Sequence, residues 1–208
     1  MSTKKEKYNK DTFYFCTITC FEWIPLFDLT NLYDHIYKWF RILKSKKVYV
    51  VGYVIMPNHM HFIVYFPQTI ANINSIIGTG KRFMAYEIIK RLRELKQFDL
   101  LKKLANAVTI TEKKRNKLHE VFQPSFDLKE LTTDKYLIQK LNYIHKNPIS
   151  GKYNLAEDYV SYKYSSAGFY ELREKGCFEV THYLEVRDLI ESYDNAESPK
   201  NRETLLKS

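Results

Sequence analysis

Hydrophobic positions recur along the chain with two different periods. Residues 13–19 (FYFCTIT) are aromatic and β-branched without charge, which predicts a strand in the middle of a sheet. Over 31–46, Leu32, Ile36, Trp39, Phe40 and Leu43 recur at helical spacing while Lys38, Arg41 and Lys44 fall opposite, so one stripe is buried. Residues 48–56 (VYVVGYVIM) and 59–66 (HMHFIVYF) predict two further strands, joined by Pro57-Asn58, a turn pair in which proline presets φ. Ile76, Ile77, Phe83, Ile88 and Leu92 predict a second helix over 73–96, its start weakened by Gly78 and Gly80.

Residues 97–118 hold many lysines around a short apolar run, Ala105 to Ile110, and read as a partly irregular connection. The segment 122–128 (FQPSFDL) offers a fourth strand, which Pro124 places at an edge or leaves bulged. Residues 134–147 predict a helix, capped by Thr133 or Asp134 and ended by Pro148. From 151 to 181 the pattern is loop-rich and aromatic, 182–193 suits a last helix, and the tail from Asp194 is polar. The order strand, helix, strand, strand, helix, strand, helix is that of an α+β, ferredoxin-like (RRM-like) sandwich, an antiparallel sheet with helices on one face, plus a C-terminal helix that carries Tyr143. It divides the chain into a main domain, 1–181, and a C-terminal helix and polar tail, 182–208.

The chain has 208 residues, 45% hydrophobic and 27% charged, which excludes wholesale disorder, and its six glycines and six prolines exclude collagen-like repeats. Thirty-three bases against 24 acids leave a net charge of +9, accompanied by 17 tyrosines and 13 phenylalanines. That combination suits a phosphate-bearing partner with stackable bases. The charge is unevenly placed: residues 78–103 carry eight bases and three acids, whereas 185–203 carry three bases and six acids. Cys16, Cys20 and Cys177 cannot all pair and form no CxxC, which points to reduced thiols and a cytoplasmic location. No apolar segment follows the basic start MSTKKEKYNK, so no signal peptide is expected. The most apolar stretch, 49–66, is interrupted by Pro57, Asn58, His59 and His61, so no membrane span is expected either.

Two features could carry chemistry. On a strand, His59 and His61 project to one side while Met60, Phe62 and Val64 enter the core, and two imidazoles spaced i, i+2 can reach one cation. On the helix 134–147, Tyr143 and Asn147 stand four residues apart and share a face. Brought to the histidine pair, they would give three ligands and a nucleophile one turn away. The same two residues would equally serve as a packing tyrosine and a helix C-cap ahead of Pro148.

MPNHMHFIV (56–64), LNYIHKNPISGKYNL (141–155) and DYVSYKYSSAGFY (158–170), in that order, resemble the HUH-type single-tyrosine transposases of the insertion-sequence-200 group, most nearly the REP-associated tyrosine transposases. The resemblance runs from about Phe13 to Tyr170 and rests on two separated motifs. It implies that His59, His61 and Asn147 bind a divalent metal, Mg²⁺ or Mn²⁺, and that Tyr143, on the helix following the sheet, is the nucleophile. It further implies a substrate of single-stranded, hairpin-forming DNA, cleaved and rejoined through a 5′-phosphotyrosine, in a monomer or homodimer. Phe122 and Tyr164 stand where the family often has tryptophan. Lys81, Arg82 and Lys90 are then candidates for phosphate contact, His145 for structure or DNA contact, and Tyr162 and Tyr164 for base stacking. A non-catalytic single-strand-binding module on the same scaffold is the alternative.

Overall fold

The computed structural model describes residues 9, 11–70, 72–124, 127–150 and 154–197. Four strands, β1 (Thr12–Thr19), β2 (Tyr49–Ile55), β3 (His59–Phe66) and β4 (Asp127–Leu131), form one antiparallel sheet in the order β2-β3-β1-β4. This is the ferredoxin-like order that the element pattern predicts. Strands β1 and β3 are central, as their uncharged sequences require: neither carries a charge that would have to leave water. The open edge of β2 is covered by chain 164–166, where the Ile55 amide donates to the Tyr164 carbonyl at 2.8 Å and the Ser166 amide to Tyr53 at 3.0 Å. Such cover removes a strand edge that could otherwise pair with another chain.

The short helix α1 (Leu26–Leu29) precedes α2 (Tyr33–Ser45), which packs with α3 (Ile73–Glu94) on one sheet face. Ile36, Phe40 and Leu43 of α2 and Ile77, Met84 and Ile88 of α3 meet Tyr14, Ile18, Met60, Phe62 and Val64 there. The other face is covered by α6 (Asp134–Lys146), through Leu137, Leu141 and Ile144 against Phe13, Phe15, Ile63 and Tyr65. Helix α8 (Tyr183–Glu197) joins that second core through Val186. A bulge between Val50 and Gly52 shifts the phase of β2, so that Tyr53 reaches the α2 side and Val51 and Val54 the α6 side. Among the described residues no helix is long and apolar enough to cross a membrane. All three cysteines are free, Cys16 and Cys20 buried and Cys177 exposed.

Three expectations from the sequence change. The lysine-rich connection is mostly helical: α4 (Phe98–Asn106) and α5 (Ile110–Lys113) occupy it. Leu101, Leu104 and Val108 are the buried stripe, a helical spacing that the surrounding lysines obscure. The fourth strand begins later than 122–128, because Phe122 makes only an isolated bridge to Cys20 and the ladder to β1 starts at Asp127, beyond Pro124. Within 151–181 lies a short helix, α7 (Ala167–Leu172), and α8 continues past 193 to Glu197. Ser125, Phe126, residues 151–153 and the tail from 198 lie outside the described residues.

The two glycines of α3 are unlike. A Cβ on Gly78 would meet nothing within 4 Å, whereas one on Gly80 would lie 2.3 Å from the rigid Trp39 indole. Gly78→Ala is expected to raise stability by up to ~1 kcal/mol through helix propensity. Gly80→Ala is expected to lower it by about 1–3 kcal/mol through overpacking, despite the same gain in propensity. Urea denaturation midpoints of the two variants measure both signs.

Candidate active site

Strand β3 leaves the Pro57-Asn58 turn with the Met56 amide donating to the His59 carbonyl at 2.8 Å. Its register against β1 places His59 opposite Thr19 and His61 opposite Thr17. Both imidazoles therefore point to the α6 face, with ring centroids 4.9 Å apart at 75°. They are buried, 4% and 7% exposed. Burial pushes the His59 pKa down to about 4, against an opposing hydrogen bond with Asn147, and the His61 pKa down to about 3, helped by His59 and the charge of Lys140. Both rings are thus neutral at pH 7, the form that ligates a metal.

The ring nitrogens are oriented from behind. The Asn58 Nδ2 donates to the Trp23 carbonyl at 2.9 Å, which accepts only, so Asn58 Oδ1 is the atom 2.7 Å from His59 Nδ1. A carboxamide oxygen accepts, so His59 Nδ1 carries the hydrogen and Nε2 keeps its lone pair. His61 Nδ1 lies 2.9 Å from Thr17 Oγ1, a hydroxyl able to accept in the same way. These bonds from neighbouring side chains to the far nitrogen are what a ligating histidine requires.

Helix α6 brings the second motif to the first. The Thr133 side chain accepts from the Tyr136 amide at its start, and its buried stripe docks it on the sheet. Tyr143 then stands with its ring 5.4 Å from His61 and 6.0 Å from Phe15, and remains 49% exposed. It is neither a core tyrosine nor remote from the histidines, and it reaches those of its own chain. Asn147 is the C-cap of α6, with helical φ −56°, and its side chain hydrogen-bonds His59. The C-cap position ahead of Pro148 thus does not keep it from the histidine pair.

Among the described residues no group of three or more histidines, cysteines or carboxylates stands together to hold a metal ion. What His59, His61 and Asn147 could offer a cation is two neutral imidazoles and one carboxamide, a set that would leave the charge of a dication available to an anionic substrate.

The other residues expected to contact DNA differ in how far the fold already engages them. His145 is 3% exposed, and its Nε2 lies 2.9 Å from Ser166 Oγ, which also accepts from the Tyr53 amide at 2.9 Å. It ties α6 to β2 and has no surface to offer DNA. The Tyr162 hydroxyl donates to the Ile55 carbonyl at 2.9 Å, and Tyr164 stacks on Tyr33 at 3.5 Å with rings 4° apart. Both are packing residues of chain 162–166 and have those groups engaged already. Lys81 is half-buried and donates to the Gln123 carbonyl at 2.8 Å, with burial pushing its pKa down to about 8. It is a strut between α3 and chain 120–124, whereas Arg82 and Lys90 are exposed.

Two features escape a linear reading. Lys140, three residues before Tyr143 on the same helical face, holds its ammonium 5.3 Å from the Tyr143 ring and 4.9 Å from that of Phe15. The spacing could have marked it. A groove of about 720 Å³ runs between α3 and chain 115–124, lined by Arg82, Lys90, Arg93 and Arg115 and by the exposed Tyr86 and Leu118. Among the described residues Arg82, Arg93 and Arg115 have no carboxylate partner. Chain 121–123 pairs with the end of β1: the Gln123 amide donates to Thr19 and the Phe21 amide to Val121, both at 2.9 Å. Since Thr19 lies opposite His59, the groove wall adjoins the histidine end of the sheet.

Fold and site together define a class, an antiparallel ferredoxin-like sheet presenting a histidine pair to a tyrosine-bearing helix. No protein-family profile matches the chain, and no curated protein matches it. Among solved structures, a REP-associated tyrosine transposase bound to a REP hairpin aligns with TM-score 0.52 and 17% identity, over 87% of this chain and 95% of that one. The chain shares the fold of that transposase. A putative transposase from Deinococcus radiodurans aligns over 70% of this chain and 97% of its own, at 14% identity and TM-score 0.34, too low a score to carry weight.

Asn58→Ala removes the acceptor at His59 Nδ1 and frees the ring to adopt either tautomer. The variant is expected to remain folded and to bind Mn²⁺ about 10–100-fold more weakly. Titration calorimetry against the unmodified protein checks the loss.

Proposed function

We propose that this protein is a divalent-metal-dependent transposase that cleaves and rejoins single-stranded, hairpin-forming DNA through Tyr143. The observation that carries the reading is the convergence of His59, His61, Tyr143 and Asn147, from two segments over eighty residues apart, at one end of one sheet face. The shared fold with a transposase bound to a hairpin supports the substrate class. So does the basic groove whose wall adjoins the histidine end of the sheet, since unpaired guanidiniums beside the exposed Tyr86 ring can follow a phosphate backbone.

His59, His61 and Asn147 would hold Mg²⁺ or Mn²⁺, which supplies charge neutralisation at the phosphate; imidazole favours Mn²⁺ in affinity, abundance favours Mg²⁺. The residues of the chain do the rest. Tyr143 presents its phenol oxygen to the phosphorus from the solvent side of His61, where half of the side chain is open. The phenol oxygen–phosphorus bond forms, the bond from phosphorus to the 3′ oxygen breaks, the phenol proton passes to water and the departing oxygen takes up a proton. Lys140 keeps a positive charge beside this exchange. The product is a phosphodiester between Tyr143 and the 5′ end, so a 3′-OH can displace the tyrosine and rejoin DNA with no external energy source. The site is complete within one chain, whether the protein acts as a monomer or a homodimer.

Incubation with end-labelled hairpin DNA and Mn²⁺, followed by a denaturing gel, tests the reading. The expected result is a covalent protein–DNA band, absent with EDTA and absent in Tyr143→Phe, which should bind the DNA as well as the unmodified protein does. A band that persists in Tyr143→Phe, or cleavage without any band, would overturn it. For the groove, Arg93→Ala should weaken binding to all sequences alike and reduce the slope of log affinity against log salt by about 1.

A further inference from the structure

The side chain of Trp23 has no part in the chemistry just described, yet it stands at the mouth of the site. It follows β1 in a single tight turn, Phe21–Trp23, where Glu22 (φ 48°) and Trp23 (φ 58°) both adopt the left-handed conformation that non-glycine residues avoid. Lys103 pairs with Glu22 at 2.6 Å and ties this turn to α4. The Trp23 carbonyl accepts from Asn58 and so fixes the orientation of His59. The indole itself is 50% exposed and meets His59 edge-on at 5.3 Å. The backbone does the structural work, and the side chain is a large apolar ring left in solvent.

The rings form a row. Trp23 touches His59 at 5.3 Å, His59 faces His61 at 4.9 Å, and His61 touches Tyr143 at 5.4 Å. The indole and the phenol therefore flank the histidine pair from opposite ends. Phosphoryl transfer places the attacking and leaving oxygens roughly in line across the phosphorus. With the phosphate over the histidines and Tyr143 attacking from one end, the 3′ oxygen departs toward the other, the end held by Trp23.

From this we infer that Trp23 is the stacking platform for the nucleobase of the departing nucleotide, the one whose 3′-OH is released. The inference rests on Tyr143 as nucleophile and adds a binding subsite to it. After cleavage, the bond to phosphorus no longer holds that strand, and base stacking on the indole keeps its 3′-OH beside the phosphotyrosine for rejoining. The recognition is by the face of the base, so every base is accepted and larger ones are held better. Trp23 thereby acts on rejoining more than on the first cleavage, when the strand is still continuous.

The test uses the full chain, Mn²⁺ and a set of hairpin oligonucleotides carrying one abasic residue moved nucleotide by nucleotide through the cleavage region. Rejoining is read on gels and binding by tryptophan emission, with Trp23→Ala as the blank, since the other tryptophan, Trp39, is buried. DNA is expected to quench emission, and quenching should vanish for the abasic residue at the nucleotide that releases its 3′-OH. That abasic DNA should be rejoined about tenfold more slowly by the unmodified protein, in keeping with the loss of one stacked base. Trp23→Ala should be about as slow on intact DNA and indifferent to the abasic position, while Trp23→Phe recovers most of the rate. Rejoining by Trp23→Ala at the normal rate, an abasic penalty that persists in it, or quenching that depends on the nucleotide joined to Tyr143 would overturn this inference and leave the Tyr143 reading standing. Absence of any adduct in the unmodified protein would overturn that reading, and this subsite with it.

Discussion

Strand β3 is buried from end to end, and every other feature of the site depends on its two-residue period. Even positions, Met60, Phe62 and Val64, are committed to the core beneath α2 and α3, and odd positions, Ile63 and Tyr65, to the core beneath α6. His59 and His61 are odd. A slip of one residue against β1 would carry the imidazoles into the wholly apolar core and expose a methionine and a phenylalanine to the α6 face. The pairing of Thr17 and Thr19 with His61 and His59 reinforces the register, because the threonine at 17 also meets the imidazole side chain to side chain.

Burial gives the histidine pair its chemistry as well as its place. Removing the rings from water disfavours their charged forms, so they are held as neutral bases without any anionic neighbour. On the proposed function, a ligand set with no charge of its own would leave an anionic phosphate as the counterpart of a dication held there. Charge is instead placed around the rim, with Lys140 over the rings of Phe15 and Tyr143 and the arginines in the groove beyond. The helix that delivers Tyr143 is fixed by apolar contacts and by the buried bond of His145 to Ser166, so Tyr143 stands on a rigid element while its ring stays half in solvent.

Much of this arrangement is legible in the chain. The alternation in HMHFIV places both histidines on one face, and the spacing of Tyr143 and Asn147 places both on one turn of helix, because each is a property of a single element. What is not legible lies between elements. Neither period says that the two faces meet, that Trp23 closes the row at the far end, or that His145 turns inward to a serine twenty-one residues on. Tyr162 and Tyr164 are equally opaque: a tyrosine written among polar residues looks available for stacking, and only tertiary contact shows its hydroxyl bonded or its face covered. The helices α4 and α5 were hidden for a different reason, since across 97–118 only Leu101, Leu104 and Val108 are buried apolar residues, set among five lysines.

The central claim is that these four side chains act as one phosphoryl-transfer site with Tyr143 as its nucleophile. Peptide mapping by tandem mass spectrometry, after reaction with hairpin DNA and Mn²⁺ and nuclease trimming, locates the covalent nucleotide directly. The expected result is a nucleotide attached through its 5′ phosphate to the tyrosine of the peptide that contains Tyr143, and to no other residue. A nucleotide on a different side chain, or DNA cleaved while the Tyr143 peptide stays unmodified throughout the reaction, would contradict the account.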